Sequence, residues 1–259
     1  MMFAGKAVLV TGSTTGIGEA CARVFAESGA RVMVSGRRTE AGHAVVEAIR
    51  AAGGHAQFAA ADLRAAGACE RLVDDTVERL GGLDVLVNNA GILYTANALD
   101  TSDEQWLDTM AVNVTALFYL SRAAVKHMQA AGGGAIVNVA SEWGLNGEAN
   151  HVAYCASKGA VVQITRCMAL DHARDGIRVN SVCPGEIHTR MVDDILAKRG
   201  GDPAQNLRQL AGGIPMRRLA HPVEVARCVH FLASDLASYV TGTNLSVDGG
   251  NDATAGPYP

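Results

Sequence analysis

Tyr154 and Lys158 stand four residues apart in Ala153-Tyr154-Cys155-Ala156-Ser157-Lys158, a stretch that reads as helix from about His151. That spacing puts a phenol and an ammonium on one helical face, one turn above the other. A cation beside a phenol favours the phenolate, so the pair is a tunable acid/base couple. Ser141 follows the apolar run Ala135–Ala140, which predicts a buried strand, and its hydroxyl could share the same reacting oxygen. The chemistry these residues suit is proton transfer at a substrate oxygen, with the rest of the chain bringing a cofactor to it.

The cofactor end is legible at Thr11-Gly12-Ser13-Thr14-Thr15-Gly16-Ile17-Gly18, between a predicted strand (6–11) and a predicted helix (18–28). Glycines let a backbone approach a pyrophosphate, and a helix N-terminus offers free N–H groups and the positive end of a dipole. A strand before and a helix after is the setting in which this motif binds a dinucleotide. NAD binding asks for a carboxylate at the end of the second strand. Ser35-Gly36-Arg37-Arg38 stands there instead, and two guanidiniums suit a 2′-phosphate by charge and bidentate geometry. NADP(H) is therefore favoured over NAD(H), although two solvated surface arginines would read the same way. Two further turns face this edge. In Asp62-Leu63 the carboxylate could accept from an adenine amino group; in Asn88-Asn89-Ala90-Gly91 a glycine lets the chain pass close to a ribose.

Strands expected at 6–11, 31–35, 56–62, 84–88, 135–140, 177–182 and 244–247 alternate with helical patterns, among them 103–118, continuing to about 131. That alternation predicts an α/β fold: a parallel sheet with right-handed crossovers and helices on both faces. No linker or repeat divides the chain, so 1–259 reads as one domain. Glu186 to Met216, broken by Gly200-Gly201-Asp202-Pro203 and Gly212-Gly213, reads as a substrate loop or lid, and Asp252–Pro259 as a short tail.

Composition narrows the class. Of 259 residues, 49% are hydrophobic and 19% charged, with a net charge of -4 and no block of like charge, which argues against nucleic-acid and anionic-membrane partners. Six cysteines at 21, 69, 155, 167, 183 and 228 form no CxxC pair and no zinc spacing, so they read as thiols in a reducing compartment, and no metal is expected. A strand begins within a few residues of Met1, leaving no room for a signal peptide, and no apolar run approaches the ~20 residues of a membrane span. A cytoplasmic protein is expected.

With these residues in hand, the chain resembles the single-domain short-chain dehydrogenases/reductases over essentially its full length. The match comprises Thr11-Gly-x-x-x-Gly-x-Gly18, Asp62, Asn88-Asn-Ala-Gly91, Asn113, Ser141 with Tyr154-x-x-x-Lys158, and Pro184-Gly185 with Thr189. The resemblance implies a single-domain Rossmann fold with a seven-stranded sheet in order 3-2-1-4-5-6-7, a cofactor at the strands' carboxyl edge, and a homotetramer. It implies Tyr154 as general acid/base and Lys158 lowering its pKa and bonding the nicotinamide ribose. Ser141 would bond the substrate oxygen, and Asn113 would hold a water that links Lys158 to solvent. Pro184, Gly185, Ile187 and Thr189 would seat the nicotinamide.

Substrate contacts are expected from Glu142, Trp143, His151, Glu186 and His188, with Tyr94, Asn146, Asn150 and Met191 as further candidates. Their carboxylates, amides and imidazoles suggest a small, polar, hydroxylated alcohol or ketone. Cys155 points about 100° from Tyr154 on a helix and reads as packing. Two other classes compete. A silent dinucleotide-binding redox sensor would have no need of the Ser141, Tyr154, Lys158 and Asn113 set, and a methyltransferase would need an acid where Gly36-Arg37 stands.

Overall fold

A computed structural model describes residues 1–64 and 66–253. Seven parallel strands form one sheet in the order β3-β2-β1-β4-β5-β6-β7: β1 Ala7–Val10, β2 Arg31–Gly36, β3 His55–Ala60, β4 Val85–Asn88, β5 Gly134–Val139, β6 Ile177–Pro184 and β7 Asn244–Val247. This is the architecture expected, with strand ends shifted by a residue or two.

The sheet is buried from both sides because its strands are apolar throughout. In β1 all four side chains are buried: Val8 and Val10 face one core and Ala7 and Leu9 the other. The first core is packed by α1 (Gly16–Glu27), α2 (Thr39–Ala51) and α9 (Pro222–Ala233) through Phe25, Val45, Ile49, Val225 and Leu232. The second is packed by α3 (Ala66–Leu80), α5 (Ala116–Ala131) and α6 (Val152–His172) through Val73, Leu120, Met128 and Met168. Each fully buried Val or Leu contributes roughly 1.5–3 kcal/mol, so this double layer makes a rigid platform for the turns at the strands' carboxyl ends.

Three features bear on the site. First, α6 buries Tyr154, Lys158, Val161, Val162, Thr165 and Met168 along one side, so the stripe that anchors the helix continues into the candidate catalytic pair. Second, the predicted helical stretch from Asp103 onward is interrupted. Helix α4 (Asp103–Met110), opened by a Ser102/Gln105 capping box, runs into a π-helical turn at Ala111–Thr115 before α5 begins. A π turn re-aims the side chains within it and is common at functional sites. Third, the 186–216 region carries two helices, α7 (Arg190–Arg199) and α8 (Pro203–Gly212), whose Val192, Leu196 and Leu207 pack with Ile214 and Leu219 into a small core of their own. Residues 254–259 of the expected tail lie outside the described residues.

Candidate active site

The glycine-rich turn is shaped by what surrounds it. Gly12 and Gly16 have φ of +61° and +60°, where a side chain is strained, and a Cβ on Gly12 would lie 2.8 Å from Ala90 Cα. A Cβ on Gly18 would collide with the Asn89 amide and the Gly12 carbonyl. Asn89 itself acts as a strut: its Nδ2 donates to the carbonyls of Thr11 and Gly12, both at 3.0 Å. The Thr11 hydroxyl accepts from the backbone N–H groups of Asn89 and Ala90. Ser13 ties the turn to the end of β2, its Oγ accepting from Ser35 N at 2.9 Å. The ends of β1, β2 and β4 are thus held as one unit.

A cleft of about 370 Å³ runs along this edge. Its lining joins Gly12, Thr14, Gly16 and Ile17 to Arg37, Arg38, Asp62 and Leu63 at one end. Asn89, Ala90 and Gly91 line its middle, and Ser141, Tyr154, Lys158, Pro184, Gly185, Ile187 and Thr189 its other end. Of the residues expected to bind cofactor, only Gly18 lies beneath the lining, where it lets the first turn of α1 pack. Sequence reasoning missed Ile92, Val112, Arg190 and Val192, which line the same space, whereas the candidate Met191 is on it.

At the Arg end no carboxylate follows β2. Arg37 and Arg38 are both exposed on the rim; Arg38 is folded onto the turn, donating to the hydroxyls of Thr14 and Thr15. Asp62 is engaged by Arg64, whose Nε reaches both carboxylate oxygens, and this pairing holds its carboxyl below the usual range. An adenine amino group would have to share that carboxylate.

At the other end Tyr154 and Lys158 are both buried. Lys158 Nζ donates to Val139 O at 2.8 Å and lies 5.6 Å from the centre of the Tyr154 ring. A Cβ on Gly144 would sit 2.7 Å from the Lys158 carbonyl, so this glycine lets the turn after Ser141 press directly on α6. Burial pushes Lys158 down to about 8. The same burial pushes the Tyr154 phenol up, and the hydrogen bond with Ser141 offsets part of that shift. That hydrogen bond is the strongest influence favouring the phenolate, and burial outweighs it. Tyr154 is held as the phenol at neutral pH. Asn113, on the π turn, bridges the chain: its Nδ2 donates to Ile92 O at 2.9 Å and to Ser157 Oγ at 3.0 Å, and its Oδ1 accepts from Ile92 N. A Cβ on Gly91 would lie 3.4 Å from Asn113 Oδ1 and 3.6 Å from Lys158 Nζ, so Gly91 sits between the two.

The expected substrate residues divide. Trp143 packs against His151 with ring centres 4.6 Å apart and planes tilted by 38°, and meets Tyr154 edge-on at 6.0 Å, forming an aromatic wall beside the phenol. His151 is buried, its Nδ1 donating to Ala149 O and its Nε2 reaching Thr95 Oγ1. His188 instead stacks on His221 and is exposed, outside the cleft lining; Tyr94 donates to Asp108, and Asn150 is an exposed turn residue with φ of +61°. Cys155 is half-buried, as its packing role requires.

Glu142 turns away from the cleft. Its carboxyl is buried, accepts from Asn251 Nδ2 at 3.0 Å, and is pushed up to about 7. Burial is the main cause; Asn251 offsets it, while the carboxylates of Glu186, Asp248 and Asp252 add to it. The folded pKa lies above the unfolded one, so this group's contribution to stability is intact below about pH 4.5 and is lost as pH rises through about 7. Glu142→Gln keeps an acceptor for Asn251 and removes the titration. The variant should melt above the parent at about pH 8, by at most about 3 kcal/mol, with the gap closing near pH 4.5 in thermal unfolding.

Comparison with known proteins agrees with this geometry. The family model described as enoyl-(acyl carrier protein) reductase matches residues 12–252. A cyclopentanol dehydrogenase of Comamonas testosteroni is 43% identical over 248 residues, which is 96% of this chain and 97% of that protein. The meso-2,3-butanediol dehydrogenase of Serratia marcescens is 39% identical over 256 residues, covering 99% and 98%. A solved structure from Beutenbergia cavernae, assigned by its description as an NAD(P)-dependent gluconate 5-dehydrogenase with NADP bound at low occupancy, superposes with a TM-score of 0.90 at 37% identity, covering 97% of this chain and 98% of that one. Likeness that runs from the glycine-rich turn through the Ser141, Tyr154 and Lys158 end to the last strand makes this chain a member of the short-chain dehydrogenase/reductase family.

Proposed function

We propose that the protein is an NADP(H)-preferring dehydrogenase of small, polar secondary alcohols or the corresponding ketones. The observation that carries this reading is the single cleft that joins an arginine rim and glycine cradle to Ser141, Tyr154 and Lys158. The fit of Gly12 against Ala90 fixes the shape of the turn, and Gly12, Thr14, Gly16, Ile17, Asn89 to Gly91, Lys158, Pro184, Gly185, Ile187 and Thr189, which line the cleft, would hold the dinucleotide. The nicotinamide, when bound, supplies or accepts the hydride. Ser141 positions the substrate oxygen through its hydroxyl and stabilises charge that develops there. Tyr154 Oη gives that oxygen a proton in reduction and takes one in oxidation, with the Lys158 ammonium alongside to favour the phenolate. Asn113 is held at the back of Lys158, where a water could pass the proton outward.

The relatives' names, a cyclic alcohol, a vicinal diol and gluconate, support a small carbinol substrate. The reading further places the whole chain in one catalytic domain with 186–216 as a substrate lid. A cytoplasmic location is part of this reading, and among the described residues no helix is long and apolar enough to cross a membrane. A homo-oligomer, tetrameric by family resemblance, is supported by the exposed Leu107, Phe118, Leu170 and Phe231 on α4, α5, α6 and α9.

The test is a panel of polyols, sugars and alkyl or aryl carbinols with each nicotinamide cofactor, followed by absorbance of the reduced ring. At least one secondary alcohol should reduce NADP faster than NAD. Tight cofactor binding without turnover on any member would favour the redox-sensor reading instead.

A further inference from the structure

Two walls flank the Ser141 and Tyr154 end of the cleft, the segment Glu142–His151 and the lid 186–216, and both converge on one short turn after β7. On one side the turn holds the first wall twice: Asn251 Nδ2 donates to Glu142 Oε2 at 3.0 Å, and Asn146 Nδ2 donates to Asp252 Oδ1. On the other side Met216 N donates to Gly249 O, and a Cβ on Gly249 or Gly250 would press on Ile214 or Pro215 at 2.9 and 3.3 Å. The turn is itself braced. Asp248 accepts from Gly250 N at 2.9 Å and Asp252 N at 2.6 Å, and Asp252 accepts from Ser246 Oγ at 3.0 Å. Gly249 and Gly250 have φ of +68° and +94°, a shape that other residues adopt only with strain.

We propose that the turn Asp248–Ala253 is a clamp that fixes the spacing of the two substrate walls, with Asn251 and Asp252 as positioning residues acting through Glu142 and Asn146. This extends the dehydrogenase reading, because the walls matter only if substrate lies between them. The clamp's side-chain bonds to Glu142 and Asn146 hold the first wall, directly behind Ser141 and Trp143, and backbone and glycine packing holds the lid. Loss of Asn251 or Asp252 should therefore loosen Glu142–His151 while leaving the glycine cradle of β1 and α1 intact.

Hydrogen exchange with mass spectrometry, together with NADPH titration, tests this on the full chain. In Asn251→Ala and Asp252→Ala, peptides covering 142–151 should exchange about 10-fold faster or more, while peptides of the 11–18 turn and the NADPH affinity stay within about 3-fold of the parent. Glu142→Ala should show the same loosening. Glu142→Gln, which keeps the acceptor, should not, and this rescue separates positioning from general damage. With 2,3-butanediol and cyclopentanol as probes, the alanine variants should raise KM about 10-fold with kcat changed less. Unchanged exchange at 142–151 in both alanine variants, or equal loosening throughout the chain, would overturn the clamp. Loosening at 142–151 with neither probe turned over would uphold the fastening and count against the dehydrogenase reading alone.

Discussion

Tyr154→Phe should lower turnover in both directions by about 10²- to 10⁴-fold, the range contributed by a positioned acid/base group. NADPH binding should stay within about 3-fold of the parent, since the phenylalanine ring still fills the buried site and still meets Trp143 edge-on. The phenol that is lost is the group hydrogen-bonded to Ser141 at the closed end of the cleft. Burial holds it protonated, so ketone reduction starts from the correct protonation state at neutral pH. Oxidation must first remove that proton, and its rate should rise with pH across the neutral and alkaline range. Steady-state rates in both directions and a fluorescence titration of NADPH read out the whole prediction. A Phe variant with near-parental turnover would remove Tyr154 from the mechanism.

Arg37→Ala should weaken NADPH by about 10- to 100-fold and change NADH little, because a hydrogen bond to a charged group is worth roughly 1.5–3 kcal/mol. Two structural points single out Arg37 over its neighbour. Both are exposed, but Arg38 already donates to Thr14 and Thr15, whereas Arg37 stands on the rim next to the position where the acidic residue of an NAD site would be. The nearby Asp62 would repel a 2′-phosphate, but Arg64 neutralises it. Titration of both cofactors against parent and variant checks this, and equal affinity for NADH and NADPH in the parent would refute the preference.

The parts of the site visible in the sequence are those set by local spacing. Tyr154 and Lys158 meet because four residues make about one helical turn, and the glycine-rich turn is recognisable because a strand and a helix bracket it. Contacts made across the chain were not visible. The clamp bond from Asn146 to Asp252 spans 106 residues, and His188 finds His221 only through the folded lid root. The π turn that aims Asn113 adds a residue to a helix without disturbing its hydrophobic pattern enough to be noticed. Two misplacements have local causes. Glu142 directly follows Ser141, which caps the short helical turn Glu142–Gly144, and that turn carries the Glu142 side chain towards Asn251. Arg64, two residues from Asp62, was a ready partner for that carboxylate.

The central claim is that one cleft passes a hydride between nicotinamide and a carbinol carbon beside Tyr154. Its most direct test is isotopic. The best secondary alcohol of the substrate panel, deuterated at the carbinol carbon, is incubated with the parent protein and NADP, and the nicotinamide is examined by mass spectrometry. Deuterium should appear in the reduced ring, with transfer at least about 10²-fold slower in Tyr154→Phe. Reduced cofactor free of deuterium, or full transfer in the Phe variant, would contradict the account.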